Sequence, residues 1–228
     1  MSSKLALAEM LKHNEHWCSE THTLKPGFFK TCSEGQAPKV LWLGCSDSRV
    51  PESVVTKADP GQIFVARNIA NQFNPDDDNV VSVLTYGVQA LGVEHIIVVG
   101  HTSCGGMIAA TNVATKGEAP GGALGRYLTP LVELAKSLKE NEEAAKLEDA
   151  DFVRLLTEES VKRSMRLIAA SDIIQDNWAG KVSPLSGQVM SKISIHGWIS
   201  DIGTGKLKDL GVSITAPGED PTAVSLSG

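Results

Sequence analysis

The sequence predicts an α/β fold: a single domain with a mostly parallel central sheet of four strands, an antiparallel edge strand, and flanking helices. Three observations predict it. Two short apolar runs, Val40-Leu41-Trp42-Leu43 and Ile96-Ile97-Val98-Val99, are continuous rather than alternating, as strands buried on both faces are. Longer segments between and after them carry apolar residues at helical spacing. Both strand-like runs lead directly into residues that carry chemistry, Cys45 and His101, and carboxyl ends of strands are where open α/β sheets build their sites.

Taken in order, residues 3–20 carry Leu5, Leu7, Met10, Leu11 and Trp17, apolar content that suits a helix, and Pro26-Gly27 breaks it. Residues 1–35 are therefore expected as a helical amino-terminal arm. Strand one is expected over 39–44 and strand two over 62–66. The Asn74-Pro75-Asp76-Asp77-Asp78 run opens a helix over 79–91; its acidic residues suit a helix amino end, and a calcium loop would need a glycine and a terminal Glu that are missing. Strand three is expected over 95–100, followed by a helix opened by Cys104-Gly105-Gly106. Residues 115–125 are glycine-rich and polar, so a loop is expected. Helical stretches follow over 129–148 and 151–178, the second with a broad apolar stripe through Phe152, Leu156, Val161, Met165 and Ile168. The last buried strand falls over 191–199. Gly203-Thr204-Gly205-Lys206 lacks the spacing of a phosphate loop and reads as a hairpin turn into 207–210. Residues 216–228 are expected as a flexible tail.

Composition narrows the function. At 228 residues the chain can bury a substantial core without disulfides, and its net charge of −6 argues against a nucleic-acid partner. No apolar run is long enough to span a bilayer. The first thirty residues hold no arginine and no apolar signal core, which points to the cytoplasm. Of the four cysteines, Cys45 and Cys104 are better used as metal thiolates, leaving Cys18 and Cys32 as free thiols of a reducing compartment.

Cys45, His101 and Cys104 form a set of three soft ligands, and three protein ligands with a fourth position left for water is the catalytic zinc arrangement. Asp47 and Arg49 follow Cys45 at once. A charged pair beyond a buried strand must satisfy itself, and an Arg fork can hold the carboxylate while leaving a lone pair for the metal or its water. Cys45-Ser46-Asp47-Ser48-Arg49 and His101-Thr102-Ser103-Cys104-Gly105 together resemble the β-class carbonic anhydrases. Phe64-Val65-Ala66-Arg67-Asn68-Ile69-Ala70-Asn71 and His196-Gly197-Trp198 extend the resemblance over roughly residues 30–210.

The resemblance implies one zinc per subunit and reversible hydration of carbon dioxide to bicarbonate, by attack of zinc-bound hydroxide oriented by Asp47 and Arg49. It implies that Gln36, nine residues before Cys45, donates a hydrogen bond to a bicarbonate oxygen. Phe64, Ile69 and Tyr86 fall where the plant-like branch lines its carbon dioxide pocket, and Gly105 offers a backbone N–H to the anion. In that branch the pocket lies between two subunits, so a homodimer is expected, with a tetramer or larger assembly open. Ala90 stands one helical turn after Tyr86, where some plant members carry a proton-transferring histidine, which leaves Tyr86 or buffer for that task. Rival readings are a hydrolase of carbon disulfide or carbonyl sulfide on the same fold, and a non-catalytic zinc or thiol redox protein. The redox reading lacks any Cys-x-x-Cys and leaves His101, Asp47 and Arg49 without a task.

Overall fold

A computed structural model describes residues 3–117 and 119–219, with side chains from Ala6 onward. The chain divides into two bodies, Met1–Gln36 and Ala37–Gly228. The first holds α1 (Ser3–Leu24) and α2 (Phe28–Glu34), joined where Gly27 takes a left-handed φ of 86° that a side chain would resist. Trp17 packs edge-on against Phe29, with ring centroids 5.3 Å apart. Leu7, Met10, Leu11 and Leu24 stay exposed.

The second body is built on β1 (Val40–Cys45), β2 (Ile63–Asn68), β3 (His95–His101), β4 (Ser194–Ser200) and β5 (Leu207–Asp209), in the order β2-β1-β3-β4-β5. The first four strands are parallel, and β5 runs antiparallel to β4. The chain leaves β1 toward β2 on one side and returns to β3 on the other. The gap between the carboxyl ends of β1 and β3 is therefore a topological switch point, the place where open α/β sheets hold ligands.

On one face of the sheet Leu41, Leu43, Ile96 and Val98 pack with Val80, Leu84, Val161, Met165 and Ile168. These come from the strands, from α4 (Asp78–Thr85) and from α8 (Asp149–Ala170). α8 lies close against the sheet: a Cβ on Gly100 would meet Thr157 and Val161 at 2.8 and 2.9 Å, so the strand has no side chain there. The opposite face holds a smaller cluster around Trp42, Ile97 and Val99. A third cluster joins Cys45 and Cys104 to Met107, Ala110, Leu128, Leu131, Phe152 and Leu156, so the site floor is continuous with helical core.

The expected strands are all present, and Asp77 caps α4 by accepting from the Asn79 N–H. The helix expected over 79–91 changes winding at Tyr86 and finishes as a π turn, Tyr86–Ala90, closed by Leu91 N–H to the Tyr86 carbonyl. The loop expected over 115–125 is shorter, because α5 (Gly105–Lys116) continues to a left-handed Gly117 and α6 (Gly122–Lys139) starts early. Pro130 lies inside α6. Burial of Leu128, Leu131 and Ala135 overrides the hydrogen bond that Pro130 cannot make. The two long helical stretches are each divided: Asn141 caps α7 (Glu142–Ala145), and Ser171 separates α8 from α9 (Asp172–Trp178). Part of the tail expected over 216–228 lies outside the described residues, which end at 219; Ala216 is buried.

Candidate metal centre

Cys45 is the last residue of β1, His101 the last of β3, and Cys104 the residue capping the start of α5. All three are buried, and their ligand atoms lie within 4.8 Å of one another. The parallel pairing of Leu43 with Val98 brings the two strand ends level. The turn from His101 to Cys104 passes through Ser103 at φ 55°, a left-handed value that costs a non-glycine residue strain and marks a conformation imposed by its surroundings. Thr102 anchors that turn: its N–H donates to the Ser200 carbonyl at 3.0 Å, and its hydroxyl accepts from Ile202 N–H and reaches Asp201.

His101 is oriented for ligation. Its Nδ1 lies 2.9 Å from the Thr102 carbonyl, so Nδ1 carries the proton and Nε2 presents a lone pair. Nε2 is buried and has no conventional hydrogen-bond partner. Burial pushes the imidazole down, but Cys45, the Thr102 carbonyl and Asp47 outweigh it and raise His101 overall. The two sulfurs act on each other in opposite directions. Contact with Cys104, helped by His101 and by the backbone of Asp47 and Ala70, lowers Cys45, and the same contact raises Cys104. Two adjacent thiols cannot both ionise without a cation, and two thiols with one neutral imidazole are a donor set suited to zinc.

Asp47 stands beside this cluster and is held by Arg49. Oδ1 accepts from the Arg49 backbone N–H and from Nε, both at 2.9 Å, and Oδ2 accepts from Nη2 at 2.7 Å. The Arg49 hydrogen bonds keep Asp47 far below the usual carboxylate range, and Asp47 in turn raises Arg49. Oδ1 is thereby saturated. Oδ2 keeps a lone pair, and it is Oδ2 that lies 3.9 Å from His101 Nε2. Nη2 of Arg49 also donates to the Ser103 carbonyl at 3.3 Å, tying the two loops together.

Of the other expected site residues, Gly105 opens α5 beside Cys104, and Ile69 lies next to it in space, since a Cβ on Gly106 would meet Ala70 at 2.9 Å and Ile69 at 3.3 Å. Phe64 and Tyr86 pair with each other, ring centroids 5.8 Å apart, and Tyr86 is 49% exposed. They are not beside the donor set. Phe64 pairs with Leu41, four residues before Cys45, a strand distance of about 13 Å. Gln36 is exposed at the end of the first body. Sequence reasoning gave no role to Arg67, whose guanidinium bonds the carbonyls of Cys45 and Asp47. Its signal was an arginine at the carboxyl end of an otherwise apolar strand, next to a segment rich in candidate site residues. The left-handed Ala70 and Asn71 (φ 60° and 46°) were also missed, for want of a glycine to mark the turn.

A parallel sheet with two buried thiols and an imidazole at its switch point, and an ionised carboxylate aimed at them, defines the class: an α/β protein with a candidate thiolate–imidazole metal site. Comparison with known proteins makes this particular. The family model described as "Carbonic anhydrase" matches residues 40–207. A carbonic anhydrase of Emericella nidulans is 32% identical over 204 residues, covering 90% of this chain and 83% of its own. A tetrameric β-carbonic anhydrase of Sordaria macrospora has a similar structure, with a TM-score of 0.79 at 32% identity, covering 92% of this chain and 98% of that one. A Coccomyxa β-carbonic anhydrase in complex with acetazolamide gives a TM-score of 0.79 at 29% identity, over 92% and 88% of the two chains. The chain belongs to the carbonic anhydrase family, in its β class, and is an enzyme of that family.

Proposed function

We propose that the protein catalyses the reversible hydration of carbon dioxide to bicarbonate and a proton, using a zinc ion held by Cys45, His101 and Cys104. The observation that carries this reading is the Oδ2 lone pair of an ionised Asp47 beside a buried Cys–His–Cys donor set. The orphaned Nε2 of His101 and the two mutually opposed thiols fit a soft divalent cation. Zinc, when bound, supplies a Lewis acid that brings a coordinated water's pKa down toward roughly 7 to 9. Asp47 acts as acceptor only: it takes a hydrogen bond from the attacking water and so turns an oxygen lone pair toward the substrate carbon. Arg49 keeps Asp47 ionised and prevents it from turning into the donor set, which supports the open, plant-like form of the site.

Gln36, Phe64, Ile69, Tyr86 and Gly105 complete the substrate site in this reading. Gln36 and the backbone N–H of Gly105 donate to bicarbonate oxygens, and the three apolar groups line the approach of carbon dioxide. Phe64 and Tyr86 serve the zinc of a second copy, a reading supported by their strand distance from their own donor set and the exposure of Tyr86. A homodimer follows. The exposed apolar residues of α1 support the arm packing on a neighbouring subunit, and the tetrameric Sordaria relatives support further pairing. No helix among the described residues is long and apolar enough to cross a membrane. The free thiols favour a cytoplasmic setting.

Stopped-flow carbon dioxide hydration by protein of known zinc content, followed over about pH 6.5 to 9, tests the proposal. Turnover far above buffer that disappears with the zinc is expected. Zinc-loaded protein silent at high pH would overturn it, and carbon disulfide and carbonyl sulfide would be the next substrates to try.

A further inference from the structure

We infer that Arg67 is a positioning residue for the Cys45–Arg49 segment, setting a metal-ligand sulfur and the Asp47 carboxylate at a fixed separation. The inference deepens the proposed hydration reaction and rests on it. The β1–β2 ladder ends with Cys45 opposite Asn68, and its last backbone bond runs from Ser46 N–H to the Asn68 carbonyl at 2.8 Å. Past that point the partner strand has turned away, yet the carbonyls of Cys45 and Asp47, two residues apart, still face the same side. Arg67 meets both. Its Nε donates to the Cys45 carbonyl at 2.8 Å and its Nη2 to the Asp47 carbonyl at 2.5 Å. The side chain thus continues the sheet by two residues beyond the reach of backbone.

The third nitrogen has its own partner. Nη1 lies 3.9 Å from Oε2 of Glu52, in the first turn of α3 (Glu52–Thr56), and that oxygen is buried with no hydrogen-bond partner. Glu52 balances the charge without competing for the two donors that hold the loop. Asp47 is consequently gripped twice: Arg67 holds its backbone carbonyl and Arg49 its carboxylate. Only a planar fork can span two carbonyls in this way, so lysine, a single point donor, would reach one of them. Loss of the fork frees the Asp47 backbone to drift, and a shift of about 1 Å in a reacting group is enough to cost on the order of 100-fold in rate.

The test compares Arg67→Ala and Arg67→Lys with the wild type as zinc-loaded protein. Thermal melting, kcat and KM for carbon dioxide, zinc release to a chromogenic chelator, and the thiolate-to-metal charge-transfer band of the cobalt(II)-substituted forms are measured. For Arg67→Ala we expect one zinc per chain, kcat lowered roughly 100-fold with little change in KM, zinc release faster by about tenfold, and a shifted charge-transfer band. Arg67→Lys should fall between, and millimolar guanidinium should restore part of the kcat of Arg67→Ala but not of Arg67→Lys. A lower melting temperature with unchanged kcat, zinc release and charge-transfer band would reduce Arg67 to a structural residue and overturn the inference. If Arg67→Ala does not fold, Arg67→Lys decides by the same readouts. If the wild type itself fails to hydrate carbon dioxide, the proposed function falls, while zinc release and the cobalt spectrum still judge Arg67.

Discussion

β3 begins and ends with histidine, and the two ends of that strand have opposite chemistry. At the carboxyl end His101 faces two sulfurs and Asp47, and its basicity is raised despite burial. At the amino end His95 faces His196 of β4, Nδ1 to Nε2 at 3.2 Å, and His196 Nδ1 lies 2.9 Å from the Ser213 hydroxyl. Burial first and then His95 push His196 down, partly offset by Asp209. The same residue type on the same strand thus belongs to a candidate metal donor set at one end and to a hydrogen-bonded histidine pair at the other. The difference lies in the neighbours. The carboxyl end gathers anionic partners that want a cation, with one nitrogen left unsatisfied. At the amino end His196 uses both ring nitrogens.

The sharpest break of this comparison is removal of the donor set. Cys45→Ala and His101→Ala should each abolish zinc binding, measured by metal analysis after dialysis, and cut hydration by roughly a thousandfold or more, since a Lewis acid is worth several kcal/mol. Either variant retaining full zinc would remove that residue from the ligand set. Asp47→Asn should keep its zinc and lose about 100- to 1,000-fold in kcat, because an amide offers an N–H where an acceptor is needed. Equal turnover in the two proteins would show that the Oδ2 lone pair has no task.

Smaller effects belong to the amino end. His196→Ala should leave zinc content and turnover as they are and lower stability at about pH 7.5 by roughly 2 kcal/mol, through lost hydrogen bonds and a cavity. Because the native pKa of His196 is depressed, its contribution is fully present above the ordinary imidazole value of about 6.5. It is lost as the pH falls below that, where the unfolded chain takes up a proton that the native state resists. The stability gap between wild type and variant in urea melts should therefore narrow toward about pH 5.5; a gap independent of pH would contradict the assignment. Ser213→Ala should cost about 1 kcal/mol and nothing in activity. A larger loss would mean that Ser213 also fastens the returning carboxyl-terminal segment, which pairs with β4 at Ile195 and Ile214.

Much of the candidate site was legible before any fold was known, because its chemistry is dense in sequence. Cys45, Asp47 and Arg49 lie within one turn-length segment, and the bonds from Arg49 to Asp47 span two residues. His101 and Cys104 are equally close in the chain. What stayed hidden are the long-range contacts that no residue type announces. Arg67 reaches Cys45 across 22 residues, and Arg49 reaches Ser103 across 54. Helix boundaries were legible where a cap marks them, as at Asp77, and misplaced where a glycine-rich run read as a loop is helical, as at Gly122 and Gly125 in α6.

By itself the sequence determined the strand and helix periods and the carboxylate–guanidinium pair, since these follow from side-chain chemistry and short-range geometry, and by residue type it offered Cys45, His101 and Cys104 as candidate donors. Tertiary structure alone decided that β1 and β3 are neighbours, so that Cys45 and His101 share one switch point, and that Arg67 bonds the carbonyls of both Cys45 and Asp47. It also decided that His95 meets His196 across 101 residues, at the end of β3 opposite the candidate metal centre. Strand order comes from the packing of whole faces against α4 and α8, a sum over many weak apolar contacts that no local pattern encodes.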